Sequence, residues 1–104
     1  MININIKKEN NNYQKIIIKG HANYEEKGKD IVCAAVSSSV ITTINGLLSI
    51  DENSINYKQT EDNINIIVNN NNLIIQKLLD NMINMLKELE KDYPNYINTS
   101  EEVD

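Results

Sequence analysis

The strongest constraint on the fold is a strand–strand–helix pattern that occurs twice along the chain. Apolar and polar residues alternate in four segments, which is typical of strands with one buried face, and each pair of segments precedes an apolar stretch with helical spacing. The predicted strands are residues 2–7, 13–19, 53–60 and 64–68, and the predicted helices are residues 31–48 and 73–91. The sequence therefore predicts an α+β domain in ββαββα order.

Each pair of strands reads as a hairpin, and the two hairpins are predicted to join into one mainly antiparallel, four-stranded sheet with two helices on a face. Residues 95–98 are a candidate for a short additional edge strand. The inner face of the second helix is predicted to consist of large apolar residues: Ile75, Leu78, Leu79, Met82, Leu86 and Leu89. The 104 residues suffice for one domain, placed at residues 1–98, and residues 99–104 are predicted to be an acidic, frayed tail. A symmetric homodimer is expected to cover apolar helix surface that so small a sheet leaves exposed.

Composition excludes several classes of function. The net charge is −5, with ten Lys and no Arg, which argues against nucleic-acid binding and suits a basic partner. Neither a membrane-spanning segment nor a leader pattern is expected, so the predicted location is cytoplasmic. A single Cys excludes an internal disulfide and a thiolate-rich zinc site, and we expect no metal and no cofactor.

The stretch GHANYEEKGKDIVCAAVS, from Gly20 to Ser37, contains the only His and the only Cys of the chain. Asp30 is a predicted N-cap, which places Cys33 in the first turn of the first helix, where the helix dipole favours the thiolate form of a thiol. His21, at the other end of the intervening loop, is a candidate general base and acid. Backbone N–H groups of the same helical turn are candidate donors to an oxyanion.

Other residues of this stretch have two interpretations each. Asp30 can orient the imidazole of the histidine, and Ser37 either hydrogen-bonds in the site or packs the helix. Gly20 and Gly28 are predicted hinges of a lid, and Tyr24 is a candidate contact for an apolar substrate side chain, although a solvated loop explains the same residues. A lone Cys among Ala and Val is also typical of a small buried hydrophobe, so the residues alone leave catalysis and packing both open.

This stretch resembles the signature of the ribosomal-processing cysteine proteases, a family of small bacterial proteins. That signature begins with Gly-His-Ala and, after a variable loop, continues with Gly-x-Asp-Ile-Val-Cys-Ala-Ala-Val-Ser. The matching residues are Gly20, His21, Ala22, Gly28, Asp30, Ile31, Val32, Cys33, Ala34, Ala35, Val36 and Ser37. Chain length and element order agree as well.

The resemblance implies that Cys33 is the nucleophile, that His21 is its base and that the protein is a homodimer. It also implies a substrate, because members of the family remove an N-terminal extension from large-subunit ribosomal protein twenty-seven, cutting after an apolar, Phe-containing segment. Two other functions stay open. One is a dimeric module that binds a basic ribosomal protein or assembly intermediate without cutting it, and the other is a hydrolase of small thioesters.

Overall fold

Seven helices and strands make up the part of the chain that the computed structural model describes, residues 1–20 and 31–103. They are β1 (Ile2–Glu9), β2 (Asn12–Lys19), α1 (Ile31–Ile50), β3 (Ile55–Gln59), β4 (Asn63–Val68), α2 (Leu73–Asp92) and β5 (Ile97–Val103). The first six follow the predicted ββαββα order. The seventh overlaps residues 95–98, the candidate edge strand, but it extends to Val103.

The five strands form one sheet in the order β3-β4-β2-β1-β5. Three pairs are antiparallel, whereas β1 and β5 are parallel. The fold is therefore α+β with a mixed, five-stranded sheet, and the prediction of four mainly antiparallel strands was wrong in the strand count and in the parallel edge.

Residues 99–103 form most of β5 and are not the frayed tail that their acidic composition predicted. The backbone of this strand pairs with the edge of β1 from Ile2↔Ile97 to Lys8↔Val103. Side chains add to the pairing, because Ser100 Oγ donates to Asn5 Oδ1 at 2.6 Å and Lys8 Nζ lies 3.5 Å from Glu101 Oε1. Backbone pairing with an open edge thus outweighs the polarity of the segment.

Only one face of the sheet is buried, and both helices cover it. Alternate residues of β1 and β4 lie in the core, as their period-2 pattern predicts. An irregularity of the β1–β2 register after Lys7 lets Tyr13 lie in the same core as Ile16. The strand residues of this core are Ile2, Ile4, Ile6, Tyr13, Ile16, Ile18, Ile55, Ile64, Ile66, Val68 and Ile97.

The helices complete the core with apolar residues three or four positions apart. The buried residues of α1 are Val32, Val36, Val40, Ile44 and Leu47, and those of α2 are Ile75, Gln76, Leu79, Met82, Ile83 and Leu86. Asn72 caps α2, because its side chain accepts from the backbone N–H groups of Ile74 and Ile75. The predicted inner face of α2 is confirmed at four positions, while Leu78 and Leu89 are partly buried.

By length and composition, α1 can cross a membrane, with 20 residues and a mean hydropathy of 1.8. This differs from the expectation that the chain has no membrane-spanning segment. In this fold the apolar stripe of α1 packs in the core, and core helices of globular proteins meet the same criterion. One such helix is weak evidence for a membrane location.

Candidate active site

Cys33 is the third residue of α1 and is half-buried. It packs against the core beside Val32, which is fully buried, so the first turn of the helix holds the thiol over one end of the sheet. At this end β1 begins, β2 ends and the turn between β3 and β4 closes. The fold therefore places Cys33, in the first turn of α1, next to the ends of four strands of the sheet.

A cleft of about 280 Å³ opens beside Cys33. The apolar residues that line it are almost fully buried, and we call them the floor. We call the polar residues that line it the rim. The floor consists of Ile2, Ile18, Val36 and Ile64, and the rim consists of Ser37, Gln59, Thr60, Glu61, Asp62 and Asn63, with Gly20 between them. The cleft is thus able to receive an apolar side chain next to the thiol and a polar or charged group above it.

Gly20 is held tightly at the end of β2. Its backbone has a φ of +99°, and its N–H donates to the carbonyl oxygen of Asp62 at 2.9 Å. A Cβ at this position would lie only 2.5 Å from the carbonyl oxygen of Met1. Both the positive φ and the close approach of Met1 require glycine. Gly20 therefore ties β1, β2 and the β3–β4 turn together immediately before His21 in the chain.

The β3–β4 turn forms the polar wall of the cleft. Thr60 N–H donates to the carbonyl oxygen of Asn63 at 2.8 Å, which closes the turn and presents Glu61 and Asp62 at its tip. The side-chain oxygen Oδ1 of Asn63 is buried and has no hydrogen-bond partner among the residues that the structure describes. A buried acceptor without a partner costs stability, and such groups tend to occur at functional sites.

Comparison with known proteins agrees with this geometry. The family named Cysteine protease Prp matches residues 1–98. The chain belongs to this family. An alignment of 110 positions with the ribosomal processing cysteine protease Prp of Mycoplasma genitalium shows 34% identity and covers 98% of this chain and 97% of the relative. An alignment of 81 positions with the Staphylococcus aureus protein of the same name shows 32% identity and covers 75% of this chain and 76% of the relative.

Solved structures share the fold. The S. aureus protease Prp in complex with a covalently linked product peptide superimposes with a TM-score of 0.91 at 24% identity, covering 98% of this chain and all of the other. A Streptococcus mutans protein, SMU.848, gives a TM-score of 0.82 at 22% identity, with 100% and 96% coverage. Membership of the family makes the chain a cysteine protease, and these structures show that its α+β fold is the fold of such a protease.

The structure brings three of the predicted site residues together, since Gly20, Cys33 and Ser37 all line the cleft. The other predicted site residues, His21, Tyr24, Gly28 and Asp30, lie outside the described residues. The pairing of His21 with Cys33, the lid with its hinges and the supporting role of Asp30 therefore stay predictions. Ser37 is exposed and lies one turn after Cys33 on the side of α1 that lines the cleft.

Sequence reasoning missed the far side of the cleft, which residues 59–64 and Ile2 form. Alternation placed Ile2 and Ile64 in the core, and the acidic pair after residue 60 was assigned only as a turn. Nothing in the local pattern indicated that this turn meets the end of β2. The hydrogen bond from Gly20 to Asp62 makes that connection, and it exists only in the folded sheet.

Residues 1–20 and 31–103 contain no group of three or more His, Cys, Asp or Glu side chains that could hold a metal ion.

Proposed function

We propose that this chain is a cysteine endopeptidase that removes the N-terminal extension of large-subunit ribosomal protein twenty-seven. The observation that carries the proposal is the position of Cys33, half-buried in the first turn of α1 and opening on a cleft with an apolar floor. Relatives with 32% and 34% identity are named ribosomal processing cysteine proteases, which supports a ribosomal protein as the substrate.

In the proposed mechanism, the thiolate of Cys33 attacks the carbonyl carbon of the scissile bond, and a C–S bond forms. The carbonyl electrons move onto oxygen, where N–H groups at the start of α1 stabilise the negative charge. When the intermediate collapses, the C–N bond breaks and the amine leaves with a proton from His21. Water then hydrolyses the thioester, with His21 as the base, and this step regenerates the thiol.

The cleft suits the substrate that the family resemblance implies. Its floor consists of four apolar side chains with exposed fractions of at most 7%, and such a surface favours an apolar residue beside the scissile bond. Its rim carries Glu61 and Asp62, and the whole chain has a net charge of −5. Both charges attract a basic protein such as a ribosomal protein.

We further propose a cytoplasmic homodimer that makes no direct contact with nucleic acid. Several large apolar side chains on the outer surface of the helices support a second protein surface there: Ile31, Ile50, Leu73, Ile74 and Met85 are 49–70% exposed. A second copy of the chain would remove them from water. Ribosomal proteins are made in the cytoplasm, so the substrate and the protease would meet there.

The decisive experiment uses a synthetic peptide that spans the N-terminal region of the ribosomal protein from the same genome. The wild-type chain is expected to cut it once after the apolar segment, which mass spectrometry of the products identifies. Cys33→Ser should lower kcat/KM by more than about a thousandfold, because an alcohol is a far weaker nucleophile than a thiolate. Ser38→Ala, on the same helix but outside the cleft, is the matched control with unchanged turnover.

Unimpaired cleavage by Cys33→Ser would remove the thiol from the mechanism. Tight binding of the peptide without cleavage would favour the binding module, and cleavage of acyl thioesters alone would favour the thioester hydrolase. The coupling to His21 has its own readout, the pH dependence of Cys33 alkylation by iodoacetamide. This dependence should change in His21→Ala if the imidazole and the thiol interact.

A further inference from the structure

The strand β3 forms one edge of the sheet, and no described element lies beyond it. Its hydrogen bonds with β4 fix which backbone groups face outward. Asn69 N–H donates to the carbonyl oxygen of Ser54 at one end of the pair, and Thr60 N–H donates to Asn63 at the other. Bonded and non-bonded pairs alternate along an antiparallel ladder. Asn56 and Lys58 therefore bond to β4.

By the same alternation, the intervening residues Ile55, Tyr57 and Gln59 direct their N–H and C=O groups away from the sheet. These groups form a row of donors and acceptors spaced for a further strand. Nothing in β3 blocks them, because its five residues contain no proline and pair with β4 in unbroken register. The one charged residue, Lys58, pairs with Asn65 and lies on the face opposite the helices.

This edge leads into the candidate active site. Gln59, the last residue of β3, and Thr60 line the same cleft as Cys33. Tyr57 pairs with the buried Ile66, so it lies on the helix-covered face, yet it is 46% exposed because no helix covers that part of β3. Its ring is therefore available on the same side of the sheet as the thiol.

We propose that the outer edge of β3 binds the substrate as an added strand. The segment on one side of the scissile bond is extended and hydrogen-bonds to the backbone of Tyr57 and Gln59, and the chain then passes over the cleft to Cys33. The ring of Tyr57 packs against a side chain of this segment. The inference rests on the proposed function, because it takes an unfolded N-terminal extension as the occupant.

Strand addition of this kind derives affinity from main-chain hydrogen bonds and selectivity from the pockets that alternate side chains enter. An extension without fixed structure is able to adopt the extended form at the edge. The bonded residues of β3 alternate, so the substrate residues that bond to them must alternate too. This periodicity distinguishes strand addition from recognition by side chains alone.

The first test removes one outward N–H of the protein. Tyr57→Pro deletes the donor at a position where it faces away from β4, and proline is tolerated at such edge positions. Tyr57→Val deletes the ring but keeps the N–H, so it is the matched control. Tyr57→Pro should lower kcat/KM for the peptide about tenfold further than Tyr57→Val, mainly through KM, as expected for a lost hydrogen bond. The rate of Cys33 alkylation should be equal in both variants.

Equal kcat/KM values for the two variants would overturn the proposal. The proposal would also be overturned if sedimentation showed that the wild type is a dimer and Tyr57→Pro is a monomer. In that case a second copy of the chain would occupy the edge of β3. The second test is independent of the folding of any variant. Peptides that are N-methylated at one backbone position each should lose activity at alternate positions on one side of the scissile bond.

If the unmodified peptide is cut but the N-methylated peptides lose cleavage at positions that do not alternate, strand addition is contradicted. An unmodified peptide that is not cut at all would instead contradict the proposed function. The two failures are therefore distinguishable in one series of peptides.

Discussion

Among the described residues, the two ends of the sheet differ in structure: hydrogen bonds of buried side chains close one end, and the other opens on a cleft. At the end where β2 begins, the side chain of Gln76 accepts from the N–H of Tyr13 at 2.7 Å and donates to its carbonyl oxygen at 3.1 Å. Tyr13 also donates its hydroxyl to Asp80 at 2.7 Å, and Lys8 Nζ lies 4.6 Å from the centre of its ring. The Gln76 amide thus satisfies the backbone of Tyr13, Asp80 accepts from its hydroxyl, and both bonds join β2 to α2.

The other end, around Cys33, is open among the described residues. A cleft lies there, Asn63 keeps a buried oxygen without a partner in the described chain, and Gly20 adopts a φ that other residues rarely adopt. Unsatisfied acceptors and unusual backbone conformations cost stability and tend to occur at functional sites. The difference indicates that the Tyr13 end holds the fold together and that the Cys33 end carries the chemistry.

Gly20→Ala tests the catalytic end and has the largest expected effect among the substitutions that compare the two ends. The new Cβ would lie against the carbonyl oxygen of Met1, so the end of β2 must shift, and His21 follows it in the chain. We expect kcat/KM to fall about a hundredfold, since displacement of a catalytic group by about 1 Å can cost that much. Stability should fall by about 1–3 kcal/mol because the φ is unfavourable for Ala. Steady-state kinetics and urea unfolding measure the two effects.

A control for Gly20→Ala is Gly46→Ala, in the middle of α1, where a Cβ meets no atom within 4 Å. This substitution should leave catalysis unchanged and raise stability slightly, because Ala favours helix by about 1 kcal/mol over Gly. Full activity of Gly20→Ala would show that the strand end does not position the catalytic group.

Gln76→Leu tests the other end and should affect stability alone. Loss of the amide leaves the backbone N–H and C=O of Tyr13 buried without their partner, at a cost of about 1–3 kcal/mol. Activity per folded molecule should change by less than about twofold, because the cleft lies at the opposite end of the sheet. A large loss of kcat/KM in fully folded Gln76→Leu would contradict the inference that the Tyr13 end contributes to stability and not to catalysis.

The sequence predicted this division only in part. Alternation and helical spacing identified six elements, and a short motif identified Gly20, Cys33 and Ser37, which do converge on the cleft. Only residues 95–98 were a candidate for this strand. The extension of β5 to Val103 was missed because its parallel pairing with β1 depends on contacts between residues about 95 positions apart, such as Ser100 with Asn5. No local pattern in an acidic segment reports such contacts.

The exposure of Tyr57 could not be predicted from the sequence for a related reason. Its alternation with Ile55 correctly places both on the face that the helices cover. Whether a helix reaches that part of the face depends on how α1 lies across the sheet, which the spacing of its apolar residues does not determine. Gln76 was likewise not predicted to be buried, since a polar residue enters a core only where backbone groups need a partner.

Tyr13→Phe has the smallest expected effect and tests whether the hydroxyl contributes to the Tyr13 end. Burial raises the pKa of Tyr13 well above its ordinary value of about 10, and the hydrogen bond and charge of Asp80 raise it further. The folded state therefore keeps the hydroxyl protonated at pH values where the unfolded chain has lost the proton. The stabilisation is complete below pH 10 and declines as pH rises above it, because the unfolded state then binds fewer protons. Tyr13→Phe should cost about 1 kcal/mol at pH 7, the contribution of one hydrogen bond, and the difference from wild type should shrink between pH 10 and 11. Urea unfolding across this range measures both, with Tyr57→Phe as the control, since that tyrosine is 46% exposed.

A constant difference in stability between Tyr13→Phe and wild type across this pH range would show that ionisation of Tyr13 does not limit stability there. A simultaneous loss of peptide cleavage at pH 7 would contradict the separation of the two ends, because the hydroxyl of Tyr13 bonds to α2 and not to any residue of the cleft.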